Sequence, residues 1–556
     1  MKSHISQKKG AIIAYIFSCF VSLSSNTIAQ ITDPDFIYKI SENAEKMKEG
    51  KFEPTWQSLQ QYEVPEWFRN AKFGMWTHWG PQCQPKRGDW YARGMYEEGS
   101  WQYKEHIKQY GHPSEFGFKD VINEWKAEKW DPEAIVELYK RTGARYFVAM
   151  ANHHDNMDLW DSQYQPWNSV NMGPHRDIIG EYEKAVRKNG LRFGVTFHAA
   201  HAWLFYEPAR LADTNGDKKN VHYDGRLMKE DGKGKWWEGY DPQDLYAQDH
   251  APSADKNIHK NWHWTNAGGT TFPDRKYTEN IYNRTLDLIN RYKPDLLYFD
   301  DTVLPLYPFS DGSLKTAAHF YNSSIEWNNG KNEAVLTGKV LTEDYQKKAI
   351  LWDIEKGTPN EIQENPWQVC TCIGSWHYDI GVYNNNRYKS AENVIRQLID
   401  VVSKNGNLLL NIPMRGDGSF DEKEMAIVKG IGDWMAVNSE GIYDTRPWKV
   451  FGEGPDAEAV IALNAQGFNE GRIKNFTEKE IRYTSKGKTV YAFVMGKNSQ
   501  SMLLKSFGRN EKIKSVTCPG SSEKVKWTQK TNGLEIHPFK KQTVMIAPVC
   551  YKITLR

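Results

Sequence analysis

Histidines and carboxylates follow several short apolar runs between residues 72 and 377. These runs, among them KFGMWT, VAMAN, GVTF, DLLYF and AILW, are typical of buried strands. A single histidine after a strand is usually packed or solvated. Several strand ends that each carry a histidine or a carboxylate instead predict a shared pocket. The residues at these positions are His78, His153, His154, His198, His201, Asp300, Asp301, Asp353, Glu355, Trp376 and His377.

The motifs of several enzyme classes are missing from this pocket. There is no HExxH motif, and the adjacent His153 and His154 would point to opposite sides of an extended chain, so that they would share one metal ion poorly. No GxSxG elbow, P-loop or strand-linked GxGxxG is present. We therefore predict no metal ion and no cofactor. The remaining option is a pair of carboxylates, which glycoside hydrolysis requires.

The composition is compatible with a sugar-binding protein. Trp 22, Tyr 29 and Phe 23 together make 74 aromatic residues in 556, and flat rings stack on sugar faces. An ordinary aromatic-rich core would explain the same numbers, so composition alone leaves both interpretations open. Lys+Arg 72 against Asp+Glu 70 gives a net charge of +2, which argues against nucleic acid as a partner.

The elements that must position these residues alternate between strands and helices. Asp131, Pro132 and Gly143 have the types expected at the cap, first turn and end of one of the helices. The alternation predicts parallel strands and a (β/α)8-like (TIM) barrel, with a doubly wound open sheet as the alternative. The predicted strands are 72–79, 145–151, 192–197, 295–300, 334–336, 349–352 and 407–411, and further helices are predicted at 176–188, 277–292, 391–404 and 421–435.

Three other regions define the predicted domains. Residues 1–29 have the basic start and apolar stretch of a signal peptide with cleavage after Ala29, which predicts export to the periplasm or beyond. The barrel is predicted over 30–445, with a polar insertion at 204–276. In that insertion Asp213 and Asp224 are reminiscent of a calcium loop, although a surface loop is the favoured interpretation. Residues 446–556 alternate like antiparallel strands and predict a β-sandwich. No membrane span is predicted.

Six segments in this order resemble the α-L-fucosidase family of glycoside hydrolases (glycoside hydrolase family 29). They are KFGMWTHWGPQ, GDWYARGMY, ANHHDNMDLWDSQYQPWNSV, DLLYFDD, CIGSWHYD and NGNLLLNIPMRGDG. The resemblance implies an irregular barrel followed by a β-sandwich. It also implies a retaining exo-enzyme that releases terminal α-L-fucose from fucosylated oligosaccharides or polysaccharides.

The resemblance implies roles for individual residues. Asp300 would be the nucleophile, while Asp301 should face away by strand alternation. The other implied residues bind the sugar; Asp89 stands where the family often has Glu, and Lys339 where many members have Arg. The predicted substrate-binding residues are His78, Asp89, Trp90, His153, His154, His198, Lys339 and Trp376.

The acid/base residue of the family is a Glu on a loop that follows the nucleophile strand. Glu355, just beyond AILWD, is the favoured candidate, and Glu343, Glu361 and Glu364 are the others. Two alternative functions remain open. One is cleavage of α-L-galactosides, whose sugar carries one more hydroxyl than L-fucose, at C6. The other is a catalytically silent carbohydrate-binding protein, against which the presence of both carboxylates argues.

Overall fold

Eight parallel strands form a closed barrel at the centre of the molecule. The computed structural model describes residues 31, 33–264, 269–459, 469–496, 500–539 and 548–556, so the predicted signal peptide lies outside the described residues. Neighbouring strands in the barrel follow chain order, and the first strand pairs with both the second and the eighth. The strands are β1 (Phe73–Thr77), β2 (Tyr146–Met150), β3 (Arg192–Phe197), β4 (Leu296–Phe299), β5 (Val335–Gly338), β6 (Leu351–Glu355), β7 (Trp367–Cys372) and β8 (Gly406–Asn411).

The closed barrel confirms the predicted fold class and excludes the open sheet. Two strands differ from the prediction. β7 was not predicted, because Gln368 and Thr371 interrupt its apolar residues; both side chains are nevertheless buried. The predicted strand 349–352 is shifted, since residues up to Ala349 are helical and β6 extends to Glu355.

Helices follow most of the strands, and their ends have local causes. In α1 the Asp131 carboxylate caps Ala134 N–H, Pro132 occupies the first turn, and Gly143 ends the helix at φ 106°. The repeat helices are α1 (Pro132–Thr142), α2 (Ile178–Lys188), α3 (Arg275–Tyr292), α4 (Gly312–Trp327), α5 (Asp344–Ala349), α6 (Ala391–Ser403) and α7 (Glu422–Asn438). Other helices lie at Trp56–Leu59, Glu66–Ala71, Tyr91–Gly94, Trp101–Tyr110, Phe118–Glu124, Ala202–Phe205, Pro242–Tyr246, Ile258–Asn261, Ile380–Asn384 and Pro455–Glu458.

Two antiparallel sheets follow the barrel, as predicted. One has five strands and the other has three. They share one apolar core, in which Leu504 and Leu534 of the small sheet pack with Tyr483 and Val490 of the large one. The strands are β9 (Arg446–Glu453), β10 (Ile481–Lys486), β11 (Thr489–Val494), β12 (Met502–Leu504), β13 (Ile513–Thr517), β14 (Trp527–Lys530), β15 (Gly533–Ile536) and β16 (Val549–Leu555). The large sheet has the order β13-β16-β11-β10-β9 and the small one β12-β15-β14.

The acidic residues of the insertion are bound to other parts of the protein. Asp213 accepts hydrogen bonds from the hydroxyls of Tyr103 and Tyr223, and Asp224 accepts one of 3.0 Å from the Lys119 ammonium. Both carboxylates are buried, so the surface-loop interpretation is wrong for these two side chains. A lysine ammonium beside Asp224 also argues against a calcium ion there. Among the described residues, no helix has the length and apolar character needed to cross a bilayer.

A buried charge cluster joins the barrel to the large sheet. Asp400, on α6, accepts a hydrogen bond of 2.6 Å from Arg482 on β10 and one of 2.9 Å from Lys404. Arg472 contributes a longer contact of 3.6 Å. Burial raises the pKa of Asp400, but these three cations outweigh it and hold the pKa well below its usual range. The cluster is therefore ionised at neutral pH.

Replacing Asp400 by Asn should destabilise the protein strongly. The change removes the carboxylate that the three cations share, and it leaves the buried Lys404 ammonium without an anionic partner among the described residues. Breaking a buried pair in this way costs about 3–5 kcal/mol in the free energy of unfolding. Asp433→Asn, which removes an exposed pair with Lys429, is the matched control and should cost less than about 1 kcal/mol. Because the folded pKa of Asp400 is depressed, its contribution is present above about pH 3.9 and is lost as the pH falls further. Denaturant unfolding at pH 7 and pH 3 tests both statements, and equal effects of the two variants at pH 7 would refute them.

Candidate active site

The ends of the barrel strands surround a cavity of about 540 Å³. Nine of the ten predicted site residues border it, and they come from the ends of different strands and the loops that follow. His154 lies just behind this lining, with Nε2 3.4 Å from Asp300 Oδ2. The structure therefore brings the predicted residues together in one site. The nine are His78, Asp89, Trp90, His153, His198, Asp300, Lys339, Glu355 and Trp376.

A lysine ammonium connects the two candidate carboxylates. Lys339 Nζ lies 2.5 Å from Asp300 Oδ1 and 2.8 Å from Glu355 Oε2. Since 2.5 Å and 2.8 Å add to 5.3 Å, these two oxygens can lie no further apart than that. Trp376 donates its indole N–H to the other oxygen of Glu355 at 3.2 Å. The pair is thus close, fixed and in contact with the cavity.

Asp300 is surrounded by groups that favour its ionised form. Burial raises the pKa of this carboxyl, but the Lys339 charge, together with the ring nitrogens of His154 at 3.4 Å and His198 at 3.5 Å, outweighs burial and holds the pKa well below its usual range. Burial lowers the pKa of His198 to about 4, so its imidazole is neutral at neutral pH. Asp300 is therefore a carboxylate whose charge is available to an electron-poor carbon.

The other candidate acids lie outside this arrangement. Glu343, Glu361 and Glu364 are exposed and do not border the cavity. Asp301, adjacent to Asp300, contacts His201 Nε2 at 2.6 Å and makes no described contact with Lys339. Its carboxylate is buried and borders the cavity, although it was expected to face away. Of the four glutamates, Glu355 alone pairs with Asp300 through Lys339 in the described part of the chain.

Neutral imidazoles form the floor of the cavity. Burial is the main cause that lowers the pKa of His78 and His153 well below the usual range. The Gln82 amide oxygen accepts Ala92 N–H, so its nitrogen donates to His153 Nδ1 at 2.9 Å and leaves His153 Nε2 protonated. Among the described residues, neither ring nitrogen of His78 has a hydrogen-bond partner. Buried groups of this kind suit a ligand rich in hydroxyls.

His377 packs beneath this floor; the sequence analysis placed it in the pocket but gave it no role in binding the sugar. Its Nδ1 donates to Asp89 Oδ1 at 2.7 Å, and its ring centroid lies 4.6 Å from that of His78 and 4.8 Å from that of His153. The contact fixes the carboxylate of Asp89, which borders the cavity. The chain neighbour of His377 is Trp376, and this adjacency in CIGSWHYD was the available sequence signal.

The insertion, which was predicted only as a polar segment at 204–276, adds an aromatic wall to the site. Trp262 stacks on His201 with centroids 3.7 Å apart and lies 5.7 Å from Trp90 in a near-parallel orientation. His259 stacks on Trp90 at 5.5 Å. Both Trp262 and His259 border the cavity. The signal in the sequence was the density of tryptophans between residues 236 and 264.

Some of these side chains have spacings that a metal ion could use. Ligand atoms of His153, His154 and His198 lie within 4.8 Å of one another, as do those of His78, Asp89, His153 and His377. The sequence argument that His153 and His154 diverge is wrong, because the chain is no longer extended after β2 and their ring centroids are 4.3 Å apart. Gln82 and Asp89 already occupy one nitrogen each of His153 and His377. The remaining nitrogens fit a metal ion or sugar hydroxyls.

Known proteins resemble this chain in sequence and in fold. A family model described as Alpha-L-fucosidase matches residues 39–440, and one described as Alpha-L-fucosidase C-terminal domain matches residues 474–556. The chain is 26% identical to the tissue alpha-L-fucosidase of Rattus norvegicus over 495 residues, which covers 86% of each protein. It is 27% identical to the tissue enzyme of Homo sapiens over 495 residues, covering 86% of this chain and 85% of the human one.

Solved structures agree with the family match. The Thermotoga maritima alpha-fucosidase superposes with a TM-score of 0.64 at 24% identity, covering 90% of this chain and 100% of that one. At this identity the likeness shows the fold alone. The family model covers most of the chain and shows the family. The chain therefore belongs to the α-L-fucosidase family of glycoside hydrolases.

Proposed function

We propose that this protein hydrolyses terminal α-L-fucosides with retention of configuration. Asp300 attacks the anomeric carbon, and Glu355 protonates the leaving oxygen and then deprotonates the incoming water. The observation that supports this most directly is the Lys339 bridge, which limits the Asp300 Oδ1 to Glu355 Oε2 distance to 5.3 Å. Retaining enzymes have carboxyl groups about 5–5.5 Å apart, and two carboxylates that share one ammonium fit that spacing better than the about 6.5–9.5 Å that inverting enzymes need to admit a water molecule.

The rest of the cavity supports the binding of a deoxy-sugar. Neutral histidines and Asp89 offer donors and acceptors to the hydroxyls of the sugar. An apolar wall is formed by Trp76, Tyr298 and Trp376. The ring centroid of Trp76 lies 5.0 Å from that of Tyr298 and 5.2 Å from that of Trp376. Such a wall is suited to an apolar sugar face and a C6 methyl group, and less to the C6 hydroxyl of L-galactose.

A comparison of two aryl glycosides tests this function. We expect the 4-nitrophenyl α-L-fucoside to be cleaved with a kcat/KM at least about tenfold above that of the α-L-galactoside, because an unpaired hydroxyl against apolar rings is unfavourable. Proton NMR during the first turnovers should show the α-anomer of L-fucose as the initial product. Preferred cleavage of the galactoside would make α-L-galactosides the substrate, and the β-anomer as the initial product would show an inverting mechanism. Inactivity on both glycosides would favour the silent binding protein.

The histidines should bind sugar without a metal ion. We expect His153→Ala to raise KM more than it lowers kcat, because the variant loses a hydrogen-bond donor to the sugar. Treatment of the wild-type protein with EDTA should leave its activity unchanged. Loss of activity in EDTA that zinc restores would instead make the His153 and His377 cluster a metal centre.

A further inference from the structure

Lys339 was expected to bind the sugar, but its ammonium contacts both candidate catalytic carboxylates. The side chain is 9% exposed, and its nitrogen lies within hydrogen-bond distance of Asp300 and of Glu355 at the same time. Burial lowers the pKa of Lys339, but the charges of Asp300 and Glu355 outweigh it and hold the pKa well above the usual range. Lys339 is therefore a fixed positive charge between the two carboxylates.

The charges of the three groups can be counted through the proposed reaction. When substrate is bound, Asp300 is negative, Glu355 carries the proton that it will donate, and Lys339 is positive, so the sum is zero. In the first step the bond from an Asp300 oxygen to the anomeric carbon forms. The bond to the leaving oxygen breaks, and that oxygen takes its electron pair and the Glu355 proton. Asp300 is now a neutral ester and Glu355 is negative, so the sum with Lys339 is again zero.

We propose that Lys339 is the shared counter-ion of both half-reactions, pairing with Asp300 before attack and with Glu355 in the glycosyl-enzyme. In the second step a water oxygen bonds to the anomeric carbon, the electron pair of the ester bond returns to Asp300, and a water proton goes to Glu355. Glu355 can accept it only as a carboxylate. In the structure both Glu355 oxygens act as acceptors, from Lys339 and from the Trp376 indole, which is the arrangement this step needs. This inference rests on the proposed function.

The inference places the main effect of Lys339 on the second half-reaction. Without the ammonium, the Glu355 carboxylate that the first step leaves has no positive partner at hydrogen-bond distance among the described residues. It would then take up a proton from solvent more readily, and a protonated Glu355 cannot accept one from the attacking water. Its role as an acid in the first step needs that proton and is preserved. Removing the charge should therefore let the glycosyl-enzyme accumulate, whereas a residue that only binds sugar would slow both steps together.

Azide distinguishes these possibilities, because it attacks the glycosyl-enzyme without help from a base. The probe is 4-nitrophenyl α-L-fucoside, with wild type, Lys339→Met and Lys339→Arg compared. For Lys339→Met we expect the fucosyl-enzyme to be visible by mass spectrometry of quenched protein, and azide to raise turnover by about tenfold or more. Lys339→Arg keeps the charge and, like the wild type, should not respond to azide. A Lys339→Met enzyme that is slow, does not accumulate the intermediate and ignores azide would overturn the inference.

A double variant tests whether Lys339 acts through Glu355. If it does, Glu355→Ala combined with Lys339→Met should turn over about as fast as Glu355→Ala alone, because the two changes affect the same step. Independent, multiplying effects would contradict the inference. If Lys339→Met does not fold, Lys339→Gln removes the charge with a polar side chain, and the same azide response is expected. A wild-type protein that cleaves no aryl α-L-fucoside would refute the proposed function itself, whereas normal wild-type turnover without azide rescue of the variants refutes only the role of Lys339.

Discussion

Asp300→Asn is expected to lower turnover of an aryl α-L-fucoside by several orders of magnitude while the protein remains folded. The amide has nearly the same shape as the carboxylate, but it is a far weaker nucleophile and cannot form the ester intermediate. It also leaves Lys339 with only one anionic partner at hydrogen-bond distance among the described residues. Steady-state kinetics and a thermal melt of the variant measure the two parts of the expectation.

Asp301→Asn is the matched control for this substitution. It makes the same chemical change one residue further along, in a side chain that is more deeply buried than Asp300 and pairs with His201. We expect its turnover to stay within about tenfold of the wild type, which is small beside the loss of a covalent catalyst. An inactive Asp301→Asn enzyme together with an active Asp300→Asn enzyme would move the nucleophile by one position.

Glu355→Ala should give the second-largest loss, of about 10²–10⁴ in kcat for a substrate with a poor leaving group. With a good leaving group the first step needs little protonation, so the sugar should still transfer to Asp300 and the enzyme should then stall. Azide should restore turnover by attacking this intermediate. Mass spectrometry of the stalled enzyme and the yield of fucosyl azide are the measurements.

The remaining glutamates provide the comparison for Glu355. Glu343, Glu361 and Glu364 are exposed and outside the cavity lining, so their Ala variants should keep wild-type kinetics and show no response to azide. Azide rescue in any of these three, without rescue in Glu355→Ala, would show that a loop movement brings another acid into the cavity.

The barrel could be predicted because most of its strands are apolar runs, and several of these runs end at a histidine or a carboxylate. DLLYF before Asp300 is an example: the buried run marks β4 and its end marks the cavity. β7 could not be recognised in this way. Gln368 is polar, and its side chain is satisfied by Asp353 of β6 and by Tyr146 of β2, which lies across the barrel. Such partners become visible only when the barrel is closed.

The residues of the site could be predicted from the sequence, but most of the contacts among them could not. The resemblance indicated Asp300, Glu355 and Lys339, but the bridge among them depends on the ends of three different strands. His153 and His154 were expected to diverge because regular strand alternation was applied beyond Met150, where β2 ends. His377 was placed in the pocket but given no role in binding, because that role depends on Asp89, a residue 288 positions away in the chain.

The charge cluster around Asp400 has a consequence for how such genes can recombine. Asp400 lies on a barrel helix and Arg482 on a strand of the large sheet. The two residues of this ion pair are therefore encoded more than 80 codons apart. A crossover that joined this barrel to a sheet lacking Arg482, or this sheet to a barrel without Asp400, would break the 2.6 Å ion pair of this buried cluster and disturb its charge balance. The two segments should therefore be inherited together, and swapped hybrids should become stable only when both positions come from the same parent.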